Sequence, residues 1–235
     1  MKQEDILALP PKFLSQSQRE FYFENGYLLL EKVVPDSWID RLRAATDKVV
    51  DDSRRFRESD SIWDLEPGHT PEAPRLRRLT SPNDYDDRFW EYATSPILLD
   101  ILEDLVGPDI KFHHSKLNFK WARGGEEVKW HQDIQFWPHT NYSPLTIGTY
   151  LYDCADDQGP LMVMPGSHDE SLYDQYDADG NWVGHIDSTA QKTLRGRTEV
   201  ALPGPAGSLT IHNCRMLHAS LKNRSDSGRP LLLNV

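Results

Sequence analysis

The feature that most limits how this chain can fold is a change of texture at residue 109. From there to the end, short strand-like runs follow one another at 110–121, 126–137, 145–153, 161–164, 198–202, 207–212, 214–220 and 229–235, and Gly, Pro, Asn and Asp separate most of them. Many short strands cannot each bury a face alone, so they point to a β-sandwich or barrel with helices packed outside. The part before 109 reads as helical. Ser15 and Ser17 are helix caps with Gln18 and Glu20 three residues on, and Asn25-Gly26 is a stop. After a short strand at 27–33, Pro35-Asp36-Ser37 opens a second helix, with Trp38, Leu42, Ala45 and Val49 in a stripe at helical spacing. Two more helices are expected at 84–93 and 96–105, the latter closed by Gly107-Pro108. The Arg-, Glu-, Asp- and Pro-rich stretch 53–80 reads as a long loop. Residues 1–235 are expected to form one domain: a mainly helical layer plus loop at 1–108, and a β core at 109–235 that carries the site.

Charge narrows the partners. The 235 residues carry a formal net charge of −11, which repels phosphate backbones and anionic lipid, so nucleic acid and membrane are excluded as partners. An anionic ligand therefore needs a local cation. The same acidity favours a small neutral or zwitterionic substrate over an acyl-CoA. The N-terminal MKQEDILALPPKF has no apolar signal core, and no apolar run is long enough to span a bilayer. Two cysteines, Cys154 and Cys214, make no disulfide framework, and a cytoplasmic location is expected.

The chemistry centres on Trp130-His131-Gln132-Asp133. On an extended segment residues i and i+2 point the same way, so His131 and Asp133 present an imidazole and a carboxylate to one spot. A third ligand has two candidates, His212 and His218. Two His and one carboxylate on one face of a metal leave open positions of the kind iron(II) oxygenases use. Arg229 lies 11 residues after His218 and opens the last strand. A guanidinium there suits the far carboxylate of a diacid co-substrate. Along 114–121, His114, Lys116, Asn118 and Lys120 alternate with Ser115, Leu117, Phe119 and Trp121. A polar inward face in a barrel wall is costly unless it serves a site.

The runs WHQD at 130–133, PGSH at 165–168, HASLKNRSDSGRP at 218–230 and FYFENGYLLLEKVV at 21–34 resemble the phytanoyl-CoA dioxygenase family. The resemblance covers most of the chain from about residue 20. It implies a double-stranded β-helix core of the jelly-roll or cupin kind. It implies that His131, Asp133 and His218 are the catalytic metal ligands for Fe(II), with His218 favoured over His212 by its register with Arg229. It further implies that Arg229 and Ser220 hold the distal carboxylate of 2-oxoglutarate, with Asn118 as a weaker contact. The activity implied is hydroxylation of a small molecule with O2, releasing succinate and CO2. Asp133 favours hydroxylation, since the related halogenases replace that ligand with a small residue.

Blander readings stand beside these. A lone HxD is a weak motif. Trp130, Phe136, Trp137, Tyr150 and Tyr152 form an aromatic set near the motif; aromatic residues on strands usually belong to the core, but some face the cavity of a hollow barrel, and Phe136 and Tyr150 are taken as pocket residues, with Lys116 as a substrate contact. Gln132 is expected to be structural, His212 to be packed or to flank the ligands, and His168 to order a turn or the substrate mouth. His113, His139 and His185 receive no role. The basic run Arg75-Leu76-Arg77-Arg78 is expected to pair with nearby acids. Two other functions use the same residues: a zinc hydrolase with a metal-bound water, and a barrel that binds a small molecule without chemistry. Substrate identity and oligomeric state are not legible.

Overall fold

The computed structural model describes residues 1–187 and 190–235; positions 188 and 189 lie outside the described residues. Five helices come early: α1 (Gln3–Leu7), α2 (Gln16–Asn25), α3 (Asp36–Asp52), α4 (Asp87–Ala93) and α5 (Pro96–Val106). Ser15 caps α2, accepting from the Gln18 amide at 3.2 Å, and Gln18 Oε1 accepts in return from the Ser15 amide at 2.9 Å. Gly26 ends the helix at φ +81°, a conformation that only glycine adopts without strain. A buried polar lock joins α1, α2 and α5. Arg19 is fully buried and donates to the carbonyls of Asp104, Leu9 and Ile6, while the Asp104 carboxylate accepts from the amides of Lys12, Phe13 and Leu14.

Eleven strands follow in chain order among the described residues: β1 (Tyr27–Leu30), β2 (Trp63–Leu65), β3 (Leu76–Thr80), β4 (Ser115–Lys120), β5 (Val128–His131), β6 (Leu145–Tyr150), β7 (Leu161–Val163), β8 (Val200–Leu202), β9 (Leu209–Asn213), β10 (His218–Ser220) and β11 (Arg229–Asn234). They form a seven-stranded sheet, β1-β9-β6-β11-β4-β3-β2, and a four-stranded sheet, β5-β10-β7-β8. Every ladder is antiparallel. This is the two-sheet jelly roll of a double-stranded β-helix.

One correction concerns 53–80. The expected loop contains the hairpin β2–β3, which extends the large sheet at its β4 edge. Leu76 and Leu79 are fully buried and anchor the hairpin in the core. The arginines between them are partly exposed and pair with acids as expected: Arg78 and Arg77 reach Asp64, and Arg77 reaches Glu126. A second correction concerns 126–137. The strand stops at His131, and Asp133 starts a 3-10 turn through Gln135.

Period 2 assigns the two faces of the large sheet. Leu117, Phe119, Leu232, Ile147, Leu209 and Ile211 face outward into the main core, against Leu42, Ala45, Val49, Phe89, Tyr92 and Leu98 of the helices. Each fully buried aliphatic side chain there contributes roughly 1.5–3 kcal/mol relative to exposure. The opposite face looks toward the small sheet and is polar. Its cross-strand rows are Lys116–Leu233–Gly148–Thr210, then Asn118–Leu231–Tyr150, then Lys120–Arg229. Thr146 and His212 form the row on the other side of Gly148 and Thr210.

Candidate metal and co-substrate site

Two strands of the small sheet and one turn bring three donors together. β10 pairs with β5 so that His218 stands opposite His131. Gln132 remains extended, and the turn after it swings Asp133 in beside both. Asp133 Oδ1 is 3.6 Å from His131 Nε2 and 3.7 Å from His218 Nε2, and the ligand atoms of the three residues all lie within 4.8 Å of one another. Each imidazole is oriented from behind by a backbone carbonyl. His131 Nδ1 is 2.8 Å from the Lys129 carbonyl, and His218 Nδ1 is 2.9 Å from that of Met216. Nδ1 carries the proton in that arrangement, so both Nε2 lone pairs face the carboxylate.

Burial alone raises the Asp133 carboxyl, but His218 and the adjacent His131 and His212 outweigh it and hold the group well below the usual carboxylate range. Burial first, and then His131 and His212, pushes His218 well below the ordinary histidine value. A charged carboxylate and neutral imidazoles are the protonation states a divalent metal requires.

The large sheet supplies what lies behind the ligands. Thr146 Oγ1 donates to Asp133 Oδ2 at 3.1 Å. His212 is buried with its ring centroid 4.3 Å from that of His218, and its Nε2 stands 3.5 Å from Asp133 Oδ2. It flanks the cluster and is not one of the three converging donors. Thr146 was missed in the sequence because LTIGTY is buried on both faces, leaving no alternation to mark its inward side.

Along β10, Ser220 lies two residues beyond His218 and faces the same way, about 6.6–6.8 Å further on. There Arg229, only 3% exposed, donates through Nη2 to the Gly159 carbonyl at 2.5 Å and contacts Ser220 Oγ at 3.3 Å. Ser220 Oγ donates to the same carbonyl at 2.9 Å. Lys120, paired with Arg229 across the ladder, is also buried, and its ammonium donates to the carbonyls of Glu126, Ser220 and Leu221. Burial, then Arg229, pulls Lys120 down to about 7. No carboxylate side chain forms an ion pair with Arg229 among the described residues.

Several buried polar atoms facing the space between the sheets have no hydrogen-bond partner: Arg229 Nε, Asn118 Oδ1, Thr210 Oγ1 and both ring nitrogens of His212. A Cβ built on Gly148 meets Thr210 Oγ1 at 2.5 Å, so a side chain there invades the same space. Three inward donors at one end, a buried unmatched guanidinium at the other and orphaned polar atoms between them fit a divalent metal and a chelating dicarboxylate.

The weaker expectations fare unevenly. Phe136 is 49% exposed and stands edge-on to His131, with ring centroids 5.7 Å apart, at the mouth. Tyr150 is corrected. It faces inward but is fully buried, its hydroxyl donating to the Leu202 carbonyl and accepting from the Leu161 amide, so it offers no surface to a molecule arriving from solvent. Gln132 is structural: buried, it donates to the Arg215 carbonyl and accepts from the Tyr173 amide. His168 contacts the Phe23 carbonyl of α2 and so orders a packing contact. His113 and His139 gather with His114 and Trp137 near the mouth, and His185 meets Lys129. No helix among the described residues is long and apolar enough to cross a membrane.

Residues 22–231 match the family model for phytanoyl-CoA dioxygenase (PhyH). A probable alpha-ketoglutarate-dependent hypophosphite dioxygenase of Stutzerimonas stutzeri is 29% identical over 221 residues, covering 93% of this chain and 77% of that one. The L-proline trans-4-hydroxylase of Streptomyces griseoviridis is 27% identical over 230 residues, covering 90% of this chain and 82% of its own. Among solved structures, EctD from S. alaskensis with 2-oxoglutarate and 5-hydroxyectoine superposes with a TM-score of 0.77 at 22% identity, over 94% of this chain and 75% of that one. With the family model covering nearly all of the described sheets and all three converging donors, this chain belongs to the phytanoyl-CoA dioxygenase family.

Proposed function

We infer that this chain is an iron(II)- and 2-oxoglutarate-dependent dioxygenase that hydroxylates a small molecule. The observation that carries the reading is the pairing of the His131–Asp133–His218 cluster with the buried Arg229–Ser220 contact one strand step away. A hydrolytic metal has no use for that second cation, whereas a dicarboxylate chelating the metal needs it. His131, Asp133 and His218 would hold the iron. Arg229 and Ser220 receive the distal carboxylate of 2-oxoglutarate, and the Asn118 amide supplies a further polar contact on the wall between. Bound iron and 2-oxoglutarate supply the oxidation of a C–H bond by dioxygen, with succinate and CO2 as the other products. Thr146 steadies the Asp133 carboxylate, and Phe136 guides the substrate over His131. Residues 1–235 act as one oxygenase domain, and the two free, buried cysteines support a reducing, cytoplasmic setting.

The test is an anaerobic titration with Fe(II) and then 2-oxoglutarate, watching for the visible charge-transfer band of the chelate. The wild type is expected to give the band, and His131→Ala, Asp133→Ala and His218→Ala to lose both iron and band. Stoichiometric iron without a band refutes the oxygenase reading.

A further inference from the structure

The wall of the site on the β3–β4 side is cationic, which the acidic composition does not foreshadow. Lys116 lies on the inward face of β4, opposite Leu233 on one side and Thr80 on the other. It is half-buried, and among the described residues its ammonium makes no hydrogen bond or ion pair. Burial, and then Arg78, pulls its pKa below the ordinary lysine value, and Asp133 opposes them. Arg78 sits one row along on β3, opposite Asn118. One arm holds Asp64 at 3.1 Å, and its Nε is buried without a partner. On the other side His114 lies within the electrostatic reach of Lys116, His113 and Asp133. The acids on this wall are already engaged: Asp64 by Arg77 and Arg78, and Asp133 by the histidines.

Metal loading sharpens the imbalance. A divalent ion held by the three donors would be balanced by the Asp133 carboxylate and one carboxylate of 2-oxoglutarate. The far carboxylate is matched at Arg229. Lys116 then has no counter-charge left within the site, and an uncompensated ammonium in a half-buried wall is costly. An anionic group on the substrate would supply that counter-charge.

We propose that the substrate is a small oxyanion-bearing molecule, a carboxylate or phosphorus oxyanion, whose charged group is received by Lys116 with Arg78 Nε and His114 beside it. This rests on the oxygenase reading and refines it. Lys116 sets substrate charge and Arg229 sets the co-substrate, so the two cations have separable tasks. The hypophosphite named for one relative is an anion of this class.

The experiment is anaerobic calorimetry on the Fe(II)- and 2-oxoglutarate-loaded protein, with methylphosphonate and acetate as oxyanion probes and dimethyl methylphosphonate as the neutral match. At least one oxyanion is expected to bind, and the neutral diester at least about tenfold more weakly or not at all. Lys116→Met should weaken that oxyanion about tenfold or more, Lys116→Arg should retain most of the affinity, and Arg78→Gln should fall between. The 2-oxoglutarate affinity, read from the charge-transfer band, should change less than twofold in all three variants. An intact band with equal binding of ester and anion, with no binding of either oxyanion, or with undiminished binding in Lys116→Met overturns the proposal alone. A tenfold loss of 2-oxoglutarate affinity in Lys116→Met also overturns it, by making Lys116 a co-substrate residue. A wild type that binds iron but gives no band overturns the oxygenase reading beneath it.

Discussion

Replacing Arg229 with Met separates a binding role from a structural one. In the protein without 2-oxoglutarate, Arg229 is a buried cation next to a second one, Lys120, and its polar contacts are the Gly159 carbonyl and Ser220 Oγ. Deleting it sacrifices hydrogen bonds to neutral groups worth about 1 kcal/mol each and relieves a buried like-charge pair. The two effects oppose, and the stability of the free protein should move by no more than about 1 kcal/mol. With 2-oxoglutarate bound the accounting reverses. Removing one partner of a buried charge pair costs roughly 3–5 kcal/mol, a 100- to 1,000-fold or greater loss of affinity. Denaturant titration of the metal-loaded protein, kept anaerobic, gives both numbers. At 2-oxoglutarate equal to 100 times its wild-type Kd, the wild type should gain about 2.7 kcal/mol and the variant less than about 0.5 kcal/mol, with metal affinity unchanged. Retention of the full gain in Arg229→Met would refute the anchor, and a loss of 3 kcal/mol or more without ligand would make the residue structural.

Three further outcomes follow from particular contacts. Gly148→Val pushes a side chain into Thr210 Oγ1 and Leu233, and should abolish the charge-transfer band while costing about 1–3 kcal/mol of stability; a normal band would show that this row does not border the co-substrate. His114 is drawn down to about 4 by burial first and then by Lys116 and His113, so the unfolded chain takes up its proton near 6.5, before the folded one does. Stability from this residue is therefore intact above pH 6.5 and lost as pH falls toward 4, about 1–2 kcal/mol after discounting the half-exposed ring; urea titrations of metal-free His114→Gln should show a shallower loss, and an unchanged slope would refute the assignment. Gly26→Ala combines a φ of +81° with a Cβ 2.4 Å from His168 Nδ1, so a loss of at least about 2 kcal/mol is expected in thermal unfolding, and a neutral result would mean that the α2–β1 turn is not tightly packed.

Local rules carried the sequence reading wherever one residue type answers one need. The Ser15–Gln18 cap, the Gly26 stop and the alternation of His114, Lys116, Asn118 and Lys120 all appear where those rules place them. The β2–β3 hairpin escaped because Arg77 and Arg78 look like loop residues until Asp64 and Glu126, distant in the chain or on the facing strand, neutralise them. Alternation also states only which side a residue faces. It placed Tyr150 inward but not its depth, which Leu161 and Leu202 decide. The choice between His212 and His218 has the same origin. Both point inward, and only the pairing of β10 with β5 brings His218 opposite His131 while His212 stays on the other sheet.

That division between the sheets has a mechanical side. His131, Asp133 and His218 belong to the small sheet and its turn, whereas Arg229 belongs to the large one. A ligand held at both ends works as a bolt through the sandwich, so loading the site should slow amide exchange across the short strands β5, β7, β8 and β10, whose ladders hold only two or three register pairs each. On product departure, amide exchange in the small sheet should return to its unloaded rate.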